Sequence, residues 1–123
     1  MAKTADQSVY DAALNVIKGA TRQTIVTTQP VAYAGTYATQ LAQVTMAGTD
    51  YTLAAGDASP TGRKITMSAK NGVSITATGT ANWVVLDDGS SKILYVTSCT
   101  AVTLTSGQTV NIPAWKVDIA GPT

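Results

Sequence analysis

The chain has 123 residues, eight basic and seven acidic, for a formal net charge of +1. That balance gives no electrostatic footprint for nucleic acid or an anionic membrane, and the length suits one domain with a core of its own. There is no His, no Glu and a single Cys, Cys99, which removes the commonest general base, the usual Cys/His zinc site and any internal disulfide.

Charged residues make up 12% of the chain, about half of the roughly 25% typical of soluble domains. No apolar run approaches the roughly 18 residues of a spanning helix. "MAKTADQSVYDAAL" has no apolar h-region, so the expectation is a chain made and assembled in a cytoplasm. Thr and Ala dominate. Thr favours strands, and a Thr-rich, charge-poor β surface suits packing of protein on protein.

The stretch "ADQSVYDAALNVIKGA" predicts the one helix. Asp6 or Ser8 is its N-cap, Val9, Ala13, Val16 and Ile17 its apolar stripe with Tyr10 and Leu14 beside it, and Gly19 its end. At about three turns it is marginal alone, so its stripe must dock. Residues 1–20 are read as an N-terminal helix or arm and 21–123 as one β domain.

After Gly19 the apolar period shortens. "TRQTIVTTQP" reads as a strand ended by Pro30, "VAYAGTYATQ" as a loop or irregular edge, and "TQLAQVTM" as a second strand. "AGTDYTLAAGDASPTG" reads as mostly loop, with a short strand at Tyr51 to Leu53. In "RKITMSA" and "VSITATG" every apolar position is odd-numbered. A three-residue Lys70-Asn71-Gly72 turn would put all of them on one face of a hairpin, with Gly72 left-handed.

"NWVVLDDGSSKILYVT", Asn82 to Thr97, predicts two strands around a turn. Both arms are apolar on almost every position, so both faces need a dry neighbour; the expectation is the N-terminal helix or a partner subunit. "AVTL" and "TVNI" flank a turn at "TSGQ". The apolar phase then changes from even (Val110, Ile112) to odd (Trp115, Val117, Ile119), which places a bulge or sheet switch at Pro113-Ala114. The fold class is therefore mainly β: an antiparallel sandwich or small barrel of about seven to nine short strands with one N-terminal α-helix.

Chemistry is sparse. Asp87 and Asp88 with Ser90 and Ser91 could hold Ca²⁺, but "DDGS" is also β-turn chemistry, and that reading is preferred. Asp50 and Asp57 lack calcium-loop spacing. Cys99 has no His to activate it, so it reads as an inert thiol. No catalytic, cofactor or metal residues are assigned, and no enzyme activity is expected. The candidate contact residues for a protein partner are Val9, Tyr10, Leu14 and Ile17 on the helix, and Tyr33, Tyr37 and Tyr51 near loops. Trp83, Trp115, Tyr33, Tyr37 and Tyr51 offer a carbohydrate-binding alternative.

Three segments, "SVYDAALNVIKGATRQTIVTTQP", "ATGTANWVVLDDGSSKILYVT" and "LTSGQTVNIPAWKVDI", resemble small virion structural proteins of long-tailed bacteriophages, most of all capsid decoration (cement) proteins. The resemblance implies a non-enzymatic protein on the outer capsid surface of the virion. Its partners would be the major capsid protein and copies of itself, most often a homotrimer, with no cofactor, nucleic acid or membrane. A tail or head-tail fibre protein is the nearer alternative and a carbohydrate-binding β-sandwich the more distant one.

Overall fold

The computed structural model describes residues 5–57 and 62–120, with backbone only over 35–37. In chain order the elements are α1 (Gln7–Lys18), β1 (Arg22–Val26), α2 (Tyr33–Ala38), β2 (Gln40–Thr45), β3 (Tyr51–Ala55), β4 (Arg63–Met67), β5 (Lys70–Ser74), β6 (Gly79–Asp87), β7 (Ile93–Leu104), β8 (Thr109–Ile112) and β9 (Trp115–Ile119). The fold is a mainly β, antiparallel sandwich with a helix at its N-terminus. One layer runs β2-β1-β6-β7; the other is built from β3-β4-β9 and the pair β5-β8.

The second layer departs from the sequence expectation. β4 and β5 do not form a hairpin. β4 pairs with β9, Ile65 opposite Val117 and Met67 opposite Trp115, and β5 pairs with β8, Lys70 opposite Ile112 and Val73 opposite Val110. The two ladders are one bent ribbon. It kinks where Ser68-Ala69 faces Pro113-Ala114, and it bulges between Lys70 and Val73. Gly72 is left-handed, φ 68°, but inside this bulge rather than in a turn, and its N–H donates to Asn111 Oδ1 at 2.9 Å. The kink and the bulge each shift the apolar phase by one residue. The shifts cancel, so the odd-numbered pattern looks unbroken in the sequence. The switch expected at Pro113-Ala114 is present: β8 and β9 lie on either side of the bend. Pro suits that position because it has no N–H to give to a ladder.

α1 starts at Asp6, whose carboxylate accepts from Ser8 N at 2.9 Å, and ends at Gly19 with Lys18 in its last turn. Its buried face is Tyr10, Leu14 and Ile17; Val9 and Val16 are about 60% exposed. The expected stripe is thus one residue out of phase. Leu14 and Ile17 join Ala20, Met46, Tyr51, Ile65, Met67 and Leu86 in one core cluster. Asp11 accepts from Arg63 Nε at 2.8 Å and ties the helix to β4. A second cluster, Ile25, Leu41, Ala42, Val73, Ile75, Ala81, Leu104 and Ile112, fills the β5-β8 end of the sandwich.

The pair β6-β7 forms around the "DDGSSK" turn as expected. Leu86 faces the inner core. The opposite face of this sheet carries Thr24, Val26 and Val85, all fully buried. α1 does not cover it; the helix packs on β3, β4 and β7. β1 ends at Val26 rather than at Pro30, and the segment expected to be a loop or irregular edge, 31–40, holds the short helix α2. The 27–39 loop with that helix meets this face at Arg22. Its ends meet, Thr27 N donating to Thr39 O at 3.2 Å. Tyr33, far from both ends, accepts from Arg22 Nη2 at 3.1 Å at the other end of β1. The loop thereby runs the length of β1 and folds back over the outer face, an Ω-type strap closed by its own ends.

Candidate interaction surface

The carboxylates of the turn diverge. Asp87 is fully buried and forms a two-pronged pair with Arg22, Nε to Oδ1 at 2.9 Å and Nη2 to Oδ2 at 3.0 Å; Gly89 N also donates to it at 2.8 Å. The guanidinium lies over the Tyr33 ring, 5.4 Å from its centroid. Asp88 stays at the surface, where Oδ1 accepts the N–H groups of Ser90, Ser91 and Lys92 at 2.8 to 3.0 Å. Those donors, Ser91 and Lys92 foremost, hold its carboxyl well below the usual carboxylate range. One carboxylate anchors the sheet and the other organises the turn, so they present no paired site. Among the described residues no three His, Cys, Asp or Glu side chains come together in a metal-ligating group.

The structure redistributes the candidate contact residues. Tyr10, Leu14, Ile17 and Tyr51 are buried within the chain, a correction to their reading as partner contacts: the apolar faces that needed docking are met by β3 and β4. Tyr51 donates its hydroxyl to Ala20 O at 2.8 Å, and burial pushes its pKa up to about 12. It offers no face to a sugar. Tyr33 is half-buried in the strap against Arg22. Val9 is exposed. The Tyr37 side chain lies outside the described residues.

The open surface lies elsewhere, in residues the motif search passed over. On one side the two layers are stitched by backbone: Ala42 bridges Ile75, and Thr76 N donates to Leu41 O at 2.8 Å. On the other side, between β7 and the β8-β9 corner, they stand apart. A groove of about 250 Å³ is lined there by Val84, Val102, Leu104, Val110, Ile112 and Pro113. A second of about 280 Å³ continues it toward Trp115 and Lys116. β7 is the terminal strand of its sheet. Opposite Asn82 it carries extra residues, Cys99 to Ala101, between the ladder pairs Trp83-Ser98 and Ala81-Val102. This bulge turns Thr100 to Thr103 out to solvent. Cys99 sits half-buried in the groove wall. Burial raises its pKa, which disfavours the reactive thiolate.

Comparison of the chain with protein-family models, curated proteins and solved structures finds no match.

Proposed function

We propose that this chain is a non-enzymatic virion structural protein, a capsid decoration protein that binds the outside of a phage head and stabilises it by many repeated protein contacts. The observation that carries the reading is the open apolar groove beside β7, on a body whose polar side chains serve folding. Arg22, Asp87, Asp88 and Tyr51 each hold a strand, turn or helix end in place. Such a body has a rigid frame and a sticky seam, which an assembly protein needs and a catalyst does not. The order of the three sequence segments that resemble virion proteins supports the same reading.

The test is addition of purified protein to heads that lack it. Saturable binding and higher resistance to heat are expected; no binding to either immature or expanded shells sinks the proposal. Copy number in purified particles narrows the nearer alternatives: hundreds of copies fit a shell or tail-tube component, a handful a fibre or connector.

A further inference from the structure

The chain has four asparagines, Asn15, Asn71, Asn82 and Asn111, and only Asn71 is followed by glycine. An asparagine side chain can react with the next backbone nitrogen. The nitrogen attacks the side-chain amide carbon, a cyclic imide forms and ammonia leaves. A side chain on the following residue obstructs that attack. Val16, Trp83 and Ile112 follow the other three asparagines, and Asn82 is further engaged, its Nδ2 donating to Thr27 O at 3.0 Å. Gly72 has no side chain, and nothing lies within 4 Å of where one would start. Asn71 and Gly72 are both exposed.

The fold controls how readily this pair reacts. Asn71 and Gly72 lie between the ladder pairs Lys70-Ile112 and Val73-Val110, so together they oppose the single residue Asn111. Gly72 stands at φ 68°, and its N–H donates to Asn111 Oδ1 at 2.9 Å. That N–H must give up its proton before the nitrogen can attack. The bond to Asn111 is lost when the proton leaves, so it adds its own worth to the barrier. The Asp88-Gly89 step also has an open glycine, but its chemistry differs. Three backbone N–H groups keep the Asp88 carboxyl ionised, and a carboxylate resists a nucleophile.

We propose that Asn71 is a site of spontaneous deamidation, and that the Asn111 side chain sets its rate by holding the proton of the attacking nitrogen. Gly72 N loses that proton and bonds to Asn71 Cγ. The Cγ–Nδ2 bond breaks, and Nδ2 leaves as ammonia with a proton from the medium. Water then opens the imide. Cleavage at Cγ gives aspartate, and cleavage at the Asn71 backbone carbonyl carbon gives isoaspartate. No electrons are exchanged with an outside reagent. Either product places a carboxylate in a run, 71–86, that otherwise has no charged residue. Isoaspartate also adds a methylene to the backbone inside the bulge that sets the register of β5 on β8, so that ladder loosens.

Peptide mass spectrometry of the full chain, held warm at neutral pH and sampled over time, tests this. The expected result is a gain of about 1 Da, the exchange of NH₂ for OH, confined to the peptide holding Asn71. Asn111→Ala, at an exposed position, speeds the reaction about fivefold, the factor one neutral hydrogen bond is worth. Asn111→Asp keeps an acceptor and stays near the wild-type rate. Val110→Ala weakens the same ladder but leaves Asn111 in place, so it speeds the reaction less than Asn111→Ala. Circular dichroism confirms that each variant folds. An Asn71 peptide that stays unchanged in both the wild type and Asn111→Ala overturns the site. Equal rates in those two proteins overturn the role of Asn111, as does a Val110→Ala or Asn111→Asp chain that reacts as fast as Asn111→Ala.

Discussion

Trp115 reaches across the sandwich from β9 and donates its indole N–H to Gln23 Oε1 on β1 at 2.6 Å. Gln23 is fully buried, and its amide nitrogen faces Met46 Sδ at 3.7 Å. The bond is therefore a side-chain polar tie between the two layers, set in apolar packing, with the Trp115 ring 6.0 Å from that of Tyr95. Trp115→Phe keeps an aromatic ring but leaves the Gln23 oxygen without its donor. A loss of about 1–3 kcal/mol in urea unfolding is expected. Adding Gln23→Met should recover part of it, because the stranded acceptor is then gone; no recovery would mean that the ring, not the bond, carries the effect.

The Arg22–Asp87 pair ties two neighbouring strands of one layer, β1 and β6, and also holds the strap. Arg22→Met leaves a fully buried carboxylate without its counter-charge, at an expected cost of about 3–5 kcal/mol. The double variant Arg22→Met/Asp87→Leu should be more stable than Arg22→Met alone, though short of wild type, because Gly89 N loses its acceptor as well. Limited proteolysis should find the 27–39 loop cut faster in both, since Tyr33 loses the guanidinium that binds its hydroxyl and ring.

Two buried tyrosines should respond oppositely to loss of the hydroxyl. Tyr51 donates to Ala20 O, and Tyr51→Phe should cost about 1 kcal/mol. The Tyr10 hydroxyl is buried with no hydrogen-bond partner, so Tyr10→Phe should be neutral or slightly stabilising. Tyr51 also sets an alkaline limit. Its folded-state pKa lies near 12, above the ordinary value of about 10. The stability linked to that shift is fully present below about pH 10 and is lost as pH rises through 12. Thermal melts should fall across that window in the wild type and fall less in Tyr51→Phe.

Much of the frame is legible in the sequence because its signals are local. The cap at Asp6, the Gly19 end, the turn at Asp88-Gly89 and the sheet switch at Pro113 each follow from side-chain chemistry within a few residues. The helix face was not legible to the same degree. Val9-Ala13-Val16 and Tyr10-Leu14-Ile17 are both apolar stripes at helical spacing, and only the position of β3 and β4 selects the second. The interaction surface carried still less signal, since a groove between two sheet edges has no motif.

The sequence by itself determined that this is a mainly β, charge-poor chain with one N-terminal helix, because alternation, capping and turn residues act over a few positions. The tertiary structure decided which strands pair. The register of β4 and β5 depends on β9 and β8, whose partner residues lie between 35 positions (Ser74 to Thr109) and 56 positions (Arg63 to Ile119) further along the chain. The path of the 27–39 strap depends on contacts with distant residues, Tyr33 on Arg22 and Thr27 on Asn82. Such choices are made by contacts between distant segments, and a period-2 pattern is satisfied equally by a hairpin and by a bent ribbon.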